Sequence, residues 1–249
     1  MNLYGLIGYP LSHSFSAKYF TEKFKKESIA DSEYRLFPLQ SIHEIKDLLD
    51  KEPDLKGLSV TIPYKEKIIP FLDELDEVSQ SIKAVNTIKI SIKNSKPFLK
   101  GYNTDVIGFE KILLPLLKTH HKQALILGSG GVSKAVIYVL NKYGISHTIV
   151  SRKLQTDFIS YHELTREIID NHTIIINTTP LGMYPNLDNC PAIPYSYLTF
   201  LHLLIDLIYN PLETLFLKNG EKQNAKTQNG LDMLYFQAEA AWKIWNNKA

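Results

Sequence analysis

Two kinds of hydrophobic spacing alternate along the first half of the chain. In "LYGLIG", "EYRLFPL" and "LKGLSVTIP" the apolar residues are continuous or fall at every second position, which predicts strands. Between them, "SFSAKYFTEKFKKES" and "SIHEIKDLLDKE" repeat apolar residues at helical spacing. In the first of these the repeat is formed by Phe15, Tyr19, Phe20 and Phe24. Alternating strands and helices predict an α/β fold with mainly parallel sheets.

The first half ends with a predicted hairpin and a helix. "NTIKISIKN" and "KPFLKGYNT" predict two strands joined at Asn94 and Ser95. The following "DVIGFEKILLPLL" predicts a helix with Asp105 as its N-cap. This helix leads out of the first α/β unit.

After "KTHHK" the α/β pattern starts again. "QALILG" predicts a buried strand, and "GVSKAVIYVLNKYG" predicts a helix that ends at Gly144. "SHTIVSR", "HTIIINTTP" and "LLIDLIY" predict further strands, and "LDMLYFQAEAAWKIWNN" predicts a strong C-terminal amphipathic helix. A chain of this length with a restarted pattern is expected to form two domains.

One strand end raises a chemical question. In "SVTIPYK", alternation places Val60, Ile62 and Tyr64 on one face, and Pro63 cannot donate to a sheet. Lys65 then follows the carboxyl end of the strand, where open α/β sheets bind their ligands. From this stretch alone, the favoured interpretation is that Lys65 starts a helix, "KEKIIPFLDEL", with its ammonium in water.

Composition narrows the class of protein. The 249 residues carry 28 basic and 26 acidic side chains, a net charge of +2, so we expect neither nucleic acid nor an acidic membrane as a partner. The single cysteine, Cys190, excludes an internal disulfide and suits a reducing compartment. Without a signal peptide or an apolar run of about 20 residues, the chain is predicted to be cytoplasmic. His13, His120 and His121 show no metal-ligand spacing, so no metal is predicted.

A glycine-rich turn predicts a cofactor. Gly128, Ser129, Gly130 and Gly131 follow a strand directly and open a helix, with Ser133 at the third small position. Glycines allow the tight turn and the close approach of a pyrophosphate, whose charge the helix N-terminus stabilises. The order strand, glycine loop, helix and strand predicts a Rossmann-type dinucleotide-binding domain.

The end of the next strand distinguishes two dinucleotides. An NAD site has an acidic residue there, about 20 residues after the glycine loop, to bind the ribose hydroxyls. This chain instead has Ser151, Arg152 and Lys153. Two cations favour a 2′-phosphate, which an arginine can bind in a bidentate manner. The predicted cofactor is therefore NADP (NADPH).

Seven motifs in order resemble those of the shikimate dehydrogenase family along nearly the whole chain. They are "GYPLSHSFS", "SVTIPYK", "AVNT", "GYNTD", "LGSGGVSKA", "INTTPLGM" and "GLDMLYFQA". The resemblance implies NADPH-dependent reduction of 3-dehydroshikimate to shikimate, a step toward aromatic amino acids. It also implies two lobes with the active site in the cleft between them. Residues 1–104 with 229–249 would bind substrate, and residues 105–228 would form the Rossmann NADP-binding domain.

The resemblance implies that Lys65 and Asp105 are catalytic, which changes the interpretation of Lys65. Hydride delivery to a ketone builds negative charge on its oxygen, so a positioned ammonium can stabilise that charge and donate a proton. A carboxylate beside the ammonium would orient it and favour its charged form.

The family's other functional positions also have matches here. For the substrate, the resemblance implies Ser12 and Ser14 at its carboxylate and, around its ring, Thr61, Asn86, Tyr209 and Gln237. For the cofactor it implies Gly128, Ser129, Gly130, Gly131, Val132, Ser151, Arg152, Lys153, Thr178, Thr179, Met183 and Gly230. Simpler local roles stay open for several of them: an N-cap for Ser14, a strand-forming residue for Thr61, a turn residue for Asn86, a core position for Tyr209, solvent exposure for Gln237, packing for Met183, and surface charges for Arg152 and Lys153.

Some questions stay open from the sequence. Ser151 and Thr156 stand where the family often has asparagine and a second arginine, which leaves the strictness for NADP over NAD undecided. A quinate or dual-substrate dehydrogenase is one alternative function, and a non-catalytic NADP-binding regulatory module is another. The expected assembly is a monomer or a homodimer.

Overall fold

The computed structural model describes residues 1–11, 15–152 and 155–247. The chain divides into two compact units, Met1–Thr104 with Gln237–Ala249, and Asp105–Phe236. The predicted domains, residues 1–104 with 229–249 and residues 105–228, differ from these units in where the C-terminal segment begins, and their substrate- and NADP-binding roles stay predictions. No helix in the described part of the chain is both long and apolar enough to span a bilayer.

The first unit is built on a mixed sheet. Its strands are β1 (Asn2–Gly8), β2 (Ser32–Pro38), β3 (Leu55–Val60), β4 (Glu74–Leu75), β5 (Thr87–Lys93) and β6 (Lys96–Tyr102), in the order β2-β1-β3-β5-β6-β4. Strand β1 runs parallel to β2 and β3, while β5 is antiparallel to β3 and β6. The predicted hairpin is confirmed, because Asn94 and Ser95 both have positive φ, 51° and 59°, as a two-residue type I′ turn requires.

Helices cover this sheet on both faces. They are α1 (Phe15–Lys26), α2 (Ile45–Lys51), α3 (Glu77–Ile82) and the C-terminal part of α8 (Leu231–Trp245). One face carries an aromatic cluster that includes Tyr4, Phe20 and Trp245. The Trp245 indole lies against Gly57, where a β-carbon would overlap it, and Nε1 donates to the Ile88 carbonyl at 3.0 Å. The C-terminal helix therefore belongs to the core of the first unit.

Two predictions around Lys65 are wrong. Strand β3 ends at Val60, and Ile62 is 74% exposed, so the predicted alternation stops before Pro63. The helix predicted from Lys65 onward is replaced by turns, a 3₁₀ turn at Ile69–Phe71 and the short strand β4. Pro70 explains the difference, since a proline inside a helix removes a hydrogen bond and disfavours helical geometry at the preceding residue.

The second unit contains a fully parallel sheet. Its strands are β7 (Gln123–Leu127), β8 (Ser146–Val150), β9 (Phe158–Ile159), β10 (Ile174–Asn177), β11 (Leu203–Asp206) and β12 (Lys226–Gln228), in the order β12-β11-β10-β7-β8-β9. This is the doubly wound order, with its topological switch point between β7 and β10. The predicted α/β class and Rossmann-type domain are confirmed.

Helices α4 (Asp105–Leu113), α5 (Gly131–Lys142), α6 (Arg166–Asn171) and α7 (Leu215–Glu221) complete the second unit. Two residues lie at slightly different places in their elements from those predicted. Asp105 is the first residue inside α4 instead of the N-cap before it. Strand β11 ends at Asp206, so Tyr209 lies in the loop that follows the strand.

Candidate active site

A cleft opens at the carboxyl edge of the second sheet, at its switch point. The loops that leave β7, β8 and β10 enclose a volume of about 320 Å³. The lining residues are Gly128, Ser129, Gly130, Val150, Ser151, Arg152, Tyr161, Thr178, Thr179, Pro180 and Leu181. Seven of the twelve residues predicted to bind the cofactor are in this set. Ligands of doubly wound sheets bind at this position.

The glycines of the loop after β7 serve different purposes. Gly128 has φ +106°, and a β-carbon there would lie 2.8 Å from Thr179 Cγ2 and 2.9 Å from Thr178 Oγ1. Around Gly130 and Gly131, in contrast, an added β-carbon would meet nothing within 4 Å. Gly128 is thus required by the fold, whereas the other two leave open space at the N-terminus of α5, where backbone N–H groups favour an anion.

A cation and an aromatic ring lie at the end of β8. Arg152 is exposed at the cleft, and Ser151 is buried, with its backbone N–H donating to the Ile159 carbonyl at 2.9 Å. Tyr161 is half-buried; burial raises the pKa of its phenol, and the positive charge of Arg152 opposes that rise. Tyr161 is not among the residues predicted from the sequence. The local signal for it is its turn, in which Ser160 and Glu163 form a capping box.

A buried polar network fixes the loop after β10. Asn177 donates from Nδ2 to Asp206 Oδ1 at 3.0 Å. Its Oδ1 accepts two hydrogen bonds from Thr179, one from the backbone N–H at 3.0 Å and one from Oγ1 at 2.7 Å. Thr178 Oγ1 donates to the Leu127 carbonyl at 2.8 Å. Asn177 and Asp206 are not among the residues predicted from the sequence, although each is a polar residue that ends an otherwise apolar strand.

Burial raises the pKa of Asp206 to about 6, and hydrogen bonds from Thr214, from the Ile208 backbone and from Asn177 limit the rise. These three donors surround a carboxyl group with no solvent exposure. A buried carboxylate is tolerated when donors satisfy it in this way.

Several predicted cofactor residues lie outside the lining of the cleft. They are Gly131, Val132, Met183 and Gly230. Met183 is 43% exposed. At Gly230, a β-carbon would overlap the Leu207 backbone, so local packing alone accounts for the glycine. The cofactor roles of these four residues stay predictions.

The first unit brings two predicted substrate residues together. Asn86, one residue before β5, donates from Nδ2 to Gln237 Oε1 on α8 at 3.1 Å. Its Oδ1 accepts from the Thr104 backbone N–H at 2.7 Å, and from Thr104 Oγ1 and Thr87 Oγ1, each at 3.1 Å. Gln237 is only partly exposed, so it is not the freely solvated helix residue that remained an alternative.

Lys65 follows an anchored turn beside this amide pair. Tyr64 is buried, and its hydroxyl donates to the Leu39 carbonyl at 2.6 Å. The Lys65 carbonyl accepts a hydrogen bond from the Val85 N–H at 2.7 Å. Because Val85 directly precedes Asn86, this bond holds the backbone of Lys65 next to that of Asn86. Thr61 is half-buried, and its backbone N–H donates to the Ile7 carbonyl at 3.0 Å. The first unit thus gathers Thr61, Lys65, Asn86 and Gln237.

The remaining predicted residues belong to the second unit or fall outside the description. Asp105 is buried at the start of α4. Tyr209 follows β11, and burial raises the pKa of its phenol. Ser12, Ser14 and Lys153 lie outside the described residues. Within the described ranges, no group of three or more histidine, cysteine, aspartate or glutamate side chains is arranged to hold a metal ion.

The strand order and the cleft define a dinucleotide-binding α/β protein with a second α/β unit. Residues 6–88 match the family model described as the shikimate dehydrogenase substrate binding domain. A shikimate dehydrogenase (NADP(+)) of Methanococcus maripaludis is 40% identical over 263 residues, covering 98% of this chain and 91% of the relative. The chain belongs to the shikimate dehydrogenase family.

Solved structures agree with this membership. A crystal structure of a shikimate dehydrogenase in complex with NADP+ has a TM-score of 0.86 at 36% identity, covering 99% of this chain and 90% of the other. A quinate dehydrogenase from Corynebacterium glutamicum in complex with NAD has a TM-score of 0.85 at 27% identity, covering 99% and 94%. The fold is therefore shared by enzymes named for two related substrates.

Proposed function

We propose that the chain is an NADP-dependent shikimate dehydrogenase that catalyses the reversible reduction of 3-dehydroshikimate to shikimate. One observation carries the assignment of the substrate site: Asn86 and Gln237 share a hydrogen bond beside the turn that bears Lys65. The 40% identity to a named shikimate dehydrogenase over almost the full chain supports the reaction. This activity places the chain in the synthesis of aromatic amino acids.

The described residues of the cleft fit NADP. Open space over Gly130 and Gly131 leaves room for a pyrophosphate at the N-terminus of α5. Arg152 provides a fork of N–H donors suited to a 2′-phosphate. The described lining contains no aspartate or glutamate that would repel such a phosphate. When bound, NADPH supplies the hydride.

Lys65 and Asp105 provide the proton chemistry in this proposal. The Lys65 ammonium donates a proton to the ketone oxygen as negative charge develops there, and accepts it in the reverse direction. The Asp105 carboxylate stabilises the ammonium and orients it. Asn86 and Gln237 orient the ring hydroxyls, since amides both donate and accept hydrogen bonds. Ser12 and Ser14 bind the substrate carboxylate, and Thr61 and Tyr209 complete the pocket.

A comparative assay tests the proposal. Purified protein is mixed with 3-dehydroshikimate and NADPH, then with NADH, and the reverse reaction is followed with shikimate or quinate and either oxidised cofactor. We expect the highest kcat/KM for the NADPH and 3-dehydroshikimate pair. A higher kcat/KM for quinate with NAD would identify a quinate dehydrogenase. NADPH binding without turnover of either substrate would identify a regulatory module.

A further inference from the structure

Two adjacent strands of the second sheet end in a buried polar pair. Asn177 ends β10, Asp206 ends β11, and the two residues are register partners with no solvent exposure. Both oxygens of Asp206 are engaged. Oδ1 accepts from Asn177 Nδ2 at 3.0 Å and from the Ile208 N–H at 3.1 Å, whereas Oδ2 accepts from Thr214 Oγ1 at 2.6 Å. Asp206 thus holds three separate segments.

The first segment leads to the cofactor cleft. Because Asn177 directs its Nδ2 to Asp206, its Oδ1 faces Thr179 and accepts both the N–H and the Oγ1–H of that residue. Thr179 lines the cleft, and its Oγ1 in turn accepts from the Leu181 N–H at 3.2 Å. An amide has one donating and one accepting end, so the group that binds one end determines the orientation of the other.

The second segment is the loop after β11. The bond from the Ile208 N–H to Asp206 fixes the residue directly before Tyr209. The Leu207 N–H donates to the Asn177 carbonyl at 3.1 Å, and the Ile208 carbonyl accepts from the Gly230 N–H at 2.9 Å. The loops after β10 and β11 are therefore joined through the same pair of residues.

We propose that Asp206 is a positioning residue: through its Oδ1 it orients Asn177 and holds Ile208, and so fixes both the cleft-lining loop at Thr179 and the loop that carries Tyr209. The inference rests on the proposed function, because its effect is measured as NADPH binding and turnover. Thr214 binds the other oxygen, and its hydroxyl also accepts from the Leu217 N–H at 3.4 Å, at the start of α7. These two bonds of the Thr214 hydroxyl fix the start of α7 and involve no group of the loops at Thr179 and Tyr209.

Asp206→Ala and Thr214→Val form a matched pair of variants. Asp206→Ala removes Oδ1, so Asn177 and the Ile208 N–H lose the acceptor that holds them. We expect it to raise the NADPH Kd and KM by about tenfold, the effect of a single well-placed hydrogen bond. Thr214→Val removes the bond to Oδ2 and the cap of α7 but leaves both bonds to Oδ1, so we expect a lower Tm with an NADPH Kd within about twofold of wild type. Equal changes of Kd in the two variants, or none in Asp206→Ala, would overturn the inference.

A double-mutant cycle tests the route through Thr179. If Asp206 acts through Asn177 on Thr179, the variant combining Asp206→Ala with Thr179→Val binds NADPH about as weakly as whichever single variant binds it less tightly. Additive losses would overturn that route. Wild-type protein without NADPH binding would overturn the proposed function and this inference together. Wild-type binding with an unaffected Asp206→Ala variant would overturn the inference alone.

Asn177→Asp keeps the inference testable should Asp206→Ala fail to fold. It places two carboxyl groups side by side, which repel each other when both are ionised and share one proton when they are not. We expect NADPH binding to be weakened about tenfold near pH 8 and restored near pH 6, relative to wild type at each pH. The neighbouring Tyr195 stays neutral over this range, since burial raises the pKa of its phenol. Weakening that is equal at both pH values would contradict the inference.

Discussion

The side-chain amide of Asn86 donates a hydrogen bond of 3.1 Å to Gln237, a residue 151 positions further along the chain. This bond links the residue before β5 to the C-terminal helix, whose residues from Gln237 onward belong to the first unit. Two residues singled out by separate motifs are therefore neighbours. The substrate site proposed for the first unit therefore depends on the C-terminal helix packing back onto that unit.

Replacing each partner of that bond should give different results. Gln237→Ala removes a partly exposed amide, and we expect the KM for shikimate to rise about tenfold with little change in Tm. Asn86→Ala removes the acceptor of three buried donors, and we expect a loss of about 2–4 kcal/mol in the free energy of unfolding. Steady-state kinetics and thermal unfolding measure both. An unchanged KM in Gln237→Ala would exclude that residue from the substrate site.

Lys65→Met should abolish most of the turnover while sparing binding. Loss of a general acid lowers kcat by about 10²–10⁴-fold, whereas NADPH affinity does not depend on this side chain in our mechanism. The exposed Lys67, two residues later, provides the control, and Lys67→Met should retain wild-type kcat. If Lys65→Met keeps kcat within a few-fold of wild type, Lys65 is not the proton donor.

Arg152→Gln should weaken the preference for NADPH. A charge-assisted hydrogen bond contributes about 1.5–3 kcal/mol, so we expect the NADPH Kd to rise about 10–100-fold and the NADH Kd to stay the same. Arg166→Gln is the matched control, because Arg166 is an exposed arginine on α6 that pairs with Asp170 at 3.5 Å. A parallel loss of NADPH and NADH binding would contradict the assignment of Arg152 to the 2′-phosphate.

Two glycines of one loop should respond differently to alanine. Gly128→Ala forces a side chain into a φ of +106° and against Thr178 and Thr179, so we expect a loss of about 1–3 kcal/mol in stability. At Gly130 an added β-carbon meets nothing within 4 Å. Gly130→Ala should therefore keep the wild-type Tm but raise the NADPH Kd, since its methyl group occupies the space proposed for the pyrophosphate. Unaltered NADPH binding by Gly130→Ala would place the cofactor elsewhere.

The elements that sequence predicted well are those whose signals are local. The hairpin at Asn94 and Ser95 and the glycine loop at Gly128 follow from residues that tolerate positive φ, and both are present. The helix predicted after Lys65 failed where local signals conflicted. Apolar spacing favoured a helix there, and Pro70 prevented one.

The Asn177–Asp206 pair shows what a single sequence cannot supply. Each residue follows three apolar positions of its strand, and nothing local indicates that the two face each other. Their contact depends on the pairing of β10 with β11 and on its register. Motif resemblance identified residues that touch ligands in a family, but not the buried partners that orient them. Those partners are visible only once the strands are assembled.

Histidines of the second unit should make its stability depend on pH. His121 is buried; its Nδ1 accepts from the Lys118 N–H at 3.0 Å, and its Nε2 faces the Leu201 carbonyl at 3.3 Å. A neutral ring protonated at Nε2 satisfies both neighbours, whereas a proton on Nδ1 would face another donor. Burial lowers the pKa of His121, the hydrogen bond with the Leu201 carbonyl opposes that shift, and the nearby charges of His120, Lys118 and His202 add to it. Burial also lowers the pKa values of His147 and His172.

These shifts determine the direction of the effect. A histidine whose folded-state pKa lies below its unfolded value of about 6.5 binds more protons when unfolded, so stability is retained above that pH and lost as pH falls below it. Asp206 acts in the opposite direction, because its folded-state pKa of about 6 lies above the ordinary value. We therefore expect the three histidines to lower Tm as the pH falls from about 7 to 5, and protonation of Asp206 to oppose that fall.

His121→Asn isolates one of these contributions. An asparagine oxygen can replace Nδ1 as the acceptor for Lys118, but it does not titrate, so Tm should depend less steeply on pH below about 6.5. His43→Asn is the control, since His43 is an exposed histidine of the first unit. Differential scanning calorimetry across this pH range measures both slopes. A His121→Asn slope equal to that of wild type would show that protonation of His121 does not drive acid unfolding, because only removal of a proton-binding group with a lowered pKa flattens the curve.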